Sequence, residues 1–489
     1  MRRRPRSPVV AAEPRCPAVQ SSDQGLNAGF PALRRLDREV FPVLAVLFCA
    51  CLGFAFGAGT VGSDSWLDLV AGRLVVHDGL PHHDTLTAWA FGRRWVDQQW
   101  LAQVGLYALF ALGGLGLLVL STLAATMTCV GALVALARRR GATATSTAIV
   151  TIPLFFLVLP AADVRAQTFA YPLFAAVLWL IWGAPDGASA LRLAFTLPVL
   201  VAWANVHGSV LLGAVLVVLA AVEAAFRRRD PRLLAFVAAA LAAVFASPYS
   251  FELPRYYRTV LWNPAFGKLV TEWRAPTLAN HTLFWVVAVL SIALVVLRRR
   301  QFAPSELLAF ALIAAGAFHA IRNIVWFALI ALVMVPRTFA VTSTTRRQTR
   351  LNAALTAAAL AVTGAFALSV ALRSDAALSR SYPAPALAAV QGAAGGRPIW
   401  ADDRYADWLL YKTPSARGRV LFDARFELLT QRELTDISRF RVRGVGALVV
   451  PPSASKAVAC AGGRVVYRDE RVLVAALSGG ARTAAHRHC

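Results

Sequence analysis

Acidic residues are scarce in this chain: 26 Asp and Glu among 489 residues, and charged side chains of both signs make up only 16%. A soluble protein of this length carries roughly a quarter charged residues, so an ordinary soluble globular chain is excluded. Cysteine is sparse too, six residues in all. No CxxC or Cys/His spacing is present, which excludes a zinc framework. Cys49, Cys51 and Cys129 fall inside apolar runs and read as small core residues, and Cys16 sits in the N-terminal tail. Cys460 and Cys489 could pair only if the C-terminal end is extracytoplasmic. No repeat of solenoid type is visible.

What the chain does have is apolar length. Hydrophobic residues make up 58% and mean hydropathy is +0.57. The apolar residues fall in blocks of about twenty, the length a helix needs to cross a bilayer. Candidate spans are 41–61, 114–137, 144–162, 167–184, 191–207, 209–226, 233–248, 281–297, 304–321, 323–341 and 352–372. The expected fold is therefore an α-helical polytopic membrane protein with about eleven transmembrane helices and a small C-terminal extracytoplasmic α/β domain.

The net charge of +24 does not indicate nucleic-acid binding. Much of the basic charge sits in Arg clusters at the ends of apolar blocks, and no basic stripe is interleaved with aromatics. Arg138–Arg140, Arg227–Arg229, Arg298–Arg300 and Arg346–Arg350 follow the second, sixth, eighth and tenth spans. Each is an even crossing from a cytoplasmic N-terminus, so all four clusters fall on the cytoplasmic side. Residues 1–40 form a basic cytoplasmic tail, with no small-residue cleavage site after the span that follows. Residues 41–373 form the transmembrane domain, with extracytoplasmic loops 62–113 and 249–280, and residues 374–489 the outer α/β domain. Its β-prone runs are Arg397–Ala401, Arg419–Asp423, Gly446–Val450, Arg464–Arg468 and Arg471–Ala476, with helices expected over Ala384–Gln391 and Glu427–Phe440.

The unusual polar residues of the membrane domain thus share the outer face. Loop 62–113 holds five carboxylates: Asp64, Asp68, Asp78, Asp84 and Asp97. Ser65 to His77 reads as a helix lying on the membrane, with Trp66, Leu67, Val70 and Leu74 as its apolar side and Asp64 one turn from Asp68. Group transfer at a membrane surface needs a base for the acceptor and cations for the phosphate of a lipid-linked donor. Asp64, Asp84 and Asp97 are the candidate catalytic carboxylates. Asp68, Arg73, Arg93, Arg94, His207, Arg255, Arg258, Glu272 and Arg322 are the candidate substrate-binding residues. Each also has a plainer role: Asp64 as a helix cap, Asp84 and Asp97 as turn formers, Glu272-Trp273 as an interfacial anchor, His207 as a satisfied interfacial histidine, and Arg322 as a snorkelling cation.

Several short motifs resemble bacterial multi-pass glycosyltransferases of the GT-C class, including the mannosyltransferase and aminoarabinose-transferase types. They are Ser63-Asp64-Ser65-Trp66, Gly72-Arg73, Asp78-Gly79-Leu80-Pro81, Asp84 and Gly92-Arg93-Arg94-Trp95 after the first span. Farther on stand Trp203-Ala204-Asn205-Val206-His207-Gly208, Ser247-Pro248-Tyr249, Glu272-Trp273 and Val420-Leu421-Phe422-Asp423-Ala424-Arg425-Phe426-Glu427. The resemblance implies a GT-C-like fold in the bacterial inner membrane. It also implies a polyprenyl-phosphate-linked sugar as donor, a glycan, lipid or protein acceptor, and Asp64 as catalytic base. The chain departs from the family's adjacent acidic pair, with Asp64-Ser65, and has Gln99-Trp100 where relatives have Glu-Trp. A divalent cation, Mg or Mn, is a candidate cofactor and wants several oxygen ligands. Two other readings are a membrane assembly or sensory protein with the same fold, and a lipid or glycan transporter. The span interiors are nearly free of charge, unlike the midplane sites of transporters.

Overall fold

The computed structural model describes residues 61–263, 266–340, 346–441 and 444–477. The expected N-terminal tail, all but the last residue of the first span, and Cys16, Cys49, Cys51 and Cys489 lie outside the described residues. The helices of the first three quarters are α1 (Ser63–Asp78), α2 (Trp100–Arg139), α3 (Ala144–Val158), α4 (Ala166–Trp182), α5 (Ala190–Val206), α6 (Val210–Arg228), α7 (Ala235–Val244), α8 (Leu253–Leu261), α9 (Thr282–Leu297), α10 (Pro304–His319), α11 (Ile324–Met334) and α12 (Arg346–Ala371). Among the described residues, four stretches are long and apolar enough to cross a membrane: Trp100–Arg139, Ala144–Ala161, Val210–Arg228 and Ile321–Thr338. Shorter apolar helices stand where most of the remaining spans are expected. Large apolar side chains such as Phe156, Phe195, Phe226, Leu241 and Leu297 are exposed on the helical bundle, as a surface solvated by lipid requires.

Every residue of α11 is buried. A helix apolar all round belongs inside a bundle, and α11 packs against α2, α3 and α10. Helix α2 is broken at Gly113 and at Gly114, where φ is 61°. Only glycine adopts that conformation without strain. A Cβ at Gly114 would also meet Asp375 Oδ1 at 2.7 Å. The same oxygen accepts from the Leu115 amide at 2.9 Å, so it supplies the partner that the break removes. The expected span 114–137 covers only the part of α2 after the break; the part before it, from Trp100, is helix as well and packs on α1.

The Arg138–Arg140 and Arg227–Arg229 clusters meet at one end of the bundle. Arg139 donates to the Gly183 carbonyl at 2.7 Å. Arg140 and Arg337 each reach Glu306 Oε1 at 3.0 Å, and Glu223 accepts from the Ser305 amide at 2.8 Å. The buried Glu306 at the start of α10 is therefore held by two cations and by the helix N-terminus.

After α12 come α13 (Pro385–Ala394), β1 (Ile399–Ala401), α14 (Asp403–Lys412), α15 (Gln431–Ser438), β2 (Ala447–Val450), α16 (Ser455–Cys460), β3 (Arg464–Arg468) and β4 (Leu473–Ala476). The sheet order is β1-β2-β4-β3, with β1 parallel to β2 and the other pairs antiparallel. The run expected as a strand at Arg419–Asp423 forms only a bridge, Val420 to Ile399. It pairs instead with the first outer loop: Ala88 and Trp89 donate to the Val420 and Leu421 carbonyls at 2.8 and 3.0 Å, and Gly418 donates to Leu86 at 2.9 Å.

The structure corrects the surface-helix reading of α1. Trp66, Leu69, Val70 and Ala71 are fully enclosed, because α2 covers one side and α14 the other. Trp66 meets the rings of Tyr382 and Tyr411 at 5.6 and 5.5 Å. One apolar core contains Trp66, Val70, Leu106, Leu115, Tyr405, Trp408 and Val449. The C-terminal α/β unit thus shares its core with α1 and α2 rather than standing apart on a linker.

Candidate functional site

Opposite the arginine end, six connections and the C-terminal unit enclose a cavity of ≈ 480 Å³. The start of α1 brings Asp64 and Asp68, the turn before α4 brings Arg165, and the turn after α5 brings His207. Helix α8 adds Tyr256 and Tyr257, the 271–273 turn adds Glu272 and Trp273, and the turn before α11 adds Arg322. Asp403 and the segment Ala424–Glu427 close it from the C-terminal side. Three-residue turns between apolar helices fix these side chains tightly, since the backbone on both sides is anchored.

Arg165 is the electrostatic centre. Its Nη1 lies 3.0 and 3.2 Å from the two oxygens of Glu272 and 3.5 Å from Asp64 Oδ2. Burial opposes its charge, but Glu272, Tyr171 and Asp64 outweigh that, and its pKa is raised. Burial likewise pushes the Glu272 carboxyl up, yet Arg165 and then Arg322 hold it below its ordinary value. The Arg322 guanidinium lies 4.4 Å over the Trp273 ring, a cation–π contact that keeps it facing the cavity. Asp64 keeps about half of its side chain exposed (48%). It therefore presents a carboxylate edge to the open space.

Asp68, one turn along α1, is enclosed and accepts from the Ala166 amide at 2.9 Å. Burial first, and Asp64 second, raise its pKa well above the ordinary value. Burial thus favours the neutral form of the Asp68 carboxyl. Burial, then Arg322 and Arg165, lower the His207 pKa well below its usual value, so the ring is neutral. Its Nδ1 accepts from the Ser209 amide at 3.1 Å. The motif around it is structural as well: Trp100 Nε1 donates to Asn205 Oδ1 at 2.9 Å, and Asn205 Nδ2 donates to the Ala246 carbonyl at 2.8 Å.

Of the expected site residues, Asp64, Asp68, His207, Glu272 and Arg322 line this cavity and the others do not. Asp84 is fully enclosed. Its Oδ1 accepts from Arg425 Nη2 at 2.7 Å, and its Oδ2 from Thr87 Oγ1 at 2.7 Å and from the Thr87 amide at 3.0 Å. Burial alone would raise its pKa, but Arg425 and Thr87 bring the net result below normal. Arg425 also binds Asp423 through Nε at 2.9 Å and lies 4.2 Å over the Trp95 ring. Asp97 is buried behind the cavity wall. Arg73 donates to the Tyr411 and Leu410 carbonyls at 3.1 and 3.3 Å. Arg93 grips Glu433 with two bonds of 2.6 Å, and Arg94 pairs with Glu252 at 2.7 Å. Arg255 and Arg258 point outward from α8. Arg73, Arg93, Arg94 and Asp84 are structural ties in the fold.

Arg165, Tyr256, Tyr257, Asp403, Arg425 and Glu427 are cavity residues that the candidate list lacks. Arg165 carried a signal: a lone cation in a short turn on the face where the positive-inside bias places none. Asp403 and Glu427 carried none, being brought in from far along the chain. Among the described residues no three of His, Cys, Asp and Glu come together in a ligating group, and Asp64 and Glu272 face the Arg165 guanidinium instead of each other's open edge.

Fold and cavity together define a polytopic membrane protein whose helical bundle and C-terminal α/β unit enclose one charged chamber at the end remote from the arginine clusters. Two solved structures are similar to it in chain arrangement. The crystal structure of ArnT from Cupriavidus metallidurans bound to undecaprenyl phosphate matches at 14% identity and a TM-score of 0.48, covering 89% of this chain and 98% of that one. The apo state of the same protein matches at 15% identity and a TM-score of 0.47, with the same coverage. No family model matches the chain, and no curated protein does.

Proposed function

We propose that the chain is a membrane glycosyltransferase that moves a sugar from a polyprenyl-phosphate donor to a hydroxyl-bearing glycan, lipid or protein acceptor on the extracytoplasmic face. The observation that carries this reading is the chamber's pairing of a half-exposed carboxylate, Asp64, with two cations, Arg165 and Arg322, in one cavity beside apolar helices. The GT-C-like motifs place Asp64 at the same position. The lipid chain lies along the bundle and the donor phosphate meets Arg165 and Arg322, which suit a phosphate better than they suit a neutral ligand. The acceptor hydroxyl gives its proton to Asp64 as its oxygen bonds to the sugar's anomeric carbon. The bond from that carbon to the phosphate oxygen breaks, and its electron pair leaves on the polyprenyl phosphate, where the arginines stabilise the added charge. Glu272 holds Arg165 in place, and neutral His207 leaves the cationic character to the arginines. In this reading the N-terminus and the arginine clusters face the cytoplasm of a bacterial inner membrane.

The test uses the full chain in nanodiscs with a panel of undecaprenyl-phosphate-linked sugars. Asp64→Asn is expected to lower transfer about 100-fold or more while undecaprenyl phosphate still binds. Arg165→Gln is expected to weaken that lipid binding. Undiminished transfer by Asp64→Asn would overturn the assignment of the base.

A further inference from the structure

The chamber is not equipped evenly. Its bundle side carries the two cations. Its C-terminal side carries Asp403 and the segment Ala424-Arg425-Phe426-Glu427. The Asp64–Arg165–Glu272 group explains the first side and uses nothing of the second. On that second side the Glu427 carboxylate remains without a structural purpose.

Glu427 follows directly on a segment that is otherwise locked, with Asp423 and Arg425 bound to each other and Arg425 bound to Asp84. Among the described residues, no other side chain gives the Glu427 carboxylate a hydrogen bond, although it lies against the cavity. Burial raises its pKa to about 7. Arg425, 4% exposed, spends Nε and Nη2 on carboxylates. Its Nη1 is buried and has no partner, although five donors make a guanidinium costly to leave incomplete. Across the space stand Tyr256 and Tyr257 of α8, and the Tyr257 hydroxyl is also buried without a partner. The charges of Glu427 and Arg322 both reach Tyr256, so the two sides of the chamber meet at this ring.

We propose that Glu427 and the Tyr256–Tyr257 pair form a second subsite that binds the hydroxyl groups of a sugar ring. A carboxylate accepting from adjacent hydroxyls, with tyrosines along one side, matches a polyhydroxyl ring. They suit neither a phosphate, which Glu427 repels, nor a lipid tail. The subsite rests on the glycosyl-transfer reading and adds to it: the C-terminal unit takes part in selecting the sugar, and the bundle holds the phosphate.

The experiment is saturation-transfer NMR on the full chain in nanodiscs, with free glucose, galactose, mannose and arabinose as probes and undecaprenyl phosphate measured separately. The wild type is expected to give ring-proton signals with at least one monosaccharide. Glu427→Ala is expected to reduce that signal at least fivefold, and Glu427→Gln less, with undecaprenyl phosphate binding and thermal unfolding unchanged in both. Arg165→Gln is expected to do the reverse, sparing the sugar signal and weakening the lipid. Equal sugar signals in wild type and Glu427→Ala overturn the subsite. So does the absence of any sugar signal from a wild type that binds the lipid, a result that leaves the glycosyl-transfer reading standing. Failure of the wild type to bind either probe sinks both.

Discussion

Asp97 sits in the wall behind the cavity, with Oδ2 buried and without a partner. Burial raises its pKa to about 7, against the opposing pull of Arg425 and Gln103. The folded chain therefore keeps a proton on Asp97 that the unfolded chain, with an ordinary carboxyl, releases near pH 4. Between about pH 4 and 7 the native state binds more protons, so stability falls as pH rises through that window. Asp97→Asn removes this contribution. We expect it to raise the unfolding temperature at pH 8 and to leave it nearly unchanged at pH 4, as followed by intrinsic fluorescence in detergent. Asp84 behaves in the opposite sense. Its lowered pKa makes its stabilisation present at neutral pH and lost as pH falls through the folded value. Asp84→Ala strips Arg425 of one of its two carboxylates, and breaking a buried pair in this way costs about 3–5 kcal/mol. Thermal unfolding should register that loss, and Asp84→Asn should recover part of it. The sequence marked both carboxylates as unusual but not what they do. The partner of Asp84 lies 341 residues away, and no spacing rule relates such positions. Asp64 was legible because it stands at the start of a helix just beyond a span, a position that local patterning identifies.

At the scale of elements, the apolar blocks marked most of the described bundle helices to within a few residues, because lipid imposes a length and a composition on each, whereas α2 and α12 begin well before their expected spans, at Trp100 and Arg346. The β-prone runs were legible for the same local reason, with Arg464–Arg468 matching β3 and Gly446–Val450 containing β2. Helix α14 was not legible. Tyr405, Ala406, Asp407, Trp408, Leu409 and Leu410 are all buried, so the helix lacks the one-sided pattern by which an amphipathic segment is recognised. Burial from both sides also explains why α1 looked like a surface helix: its second cover, α14, arrives from the end of the chain. Gly72 records how close α1 comes to α2. A Cβ there would fall 2.2 Å from the Gln103 carbonyl oxygen and 2.8 Å from Tyr107 Cβ, and the backbone carbonyl cannot rotate away. Gly72→Ala should force the helices apart and destabilise by roughly 1–3 kcal/mol, the usual range for overpacking. A lower melting temperature, with Asp64 displaced and transfer reduced, is the expected result. A melting curve identical to wild type would mean that the helices are not held this closely.

For the whole molecule, polarity is the property that the arginine clusters encode. The exposed positions Asp186, in a turn on the cluster side, and Thr277, in a loop on the chamber side, are suited to a topology test. Asp186→Cys should resist a membrane-impermeant maleimide in intact cells, and Thr277→Cys should react. The opposite pattern would invert the protein and remove the extracytoplasmic reaction from consideration. The shared core predicts a further behaviour. A chain ending at residue 374 would leave Trp66, Val70 and Leu74 of α1 uncovered on the α14 side. We expect such a truncation to aggregate on detergent extraction, whereas an independent appendage could be removed with the bundle still monodisperse by gel filtration.

The bond between Asp84 and Arg425 also bears on how the protein is made. The loop bearing Asp84 emerges early in synthesis, and the arginine that neutralises it comes near the end of translation, after the ribosome has threaded the intervening helices into the bilayer. Through that interval the tryptophan-bearing hairpin of residues 79–99 waits without its binding partner. The core of α1 and the first outer loop is therefore completed only when the last quarter of the chain has been made.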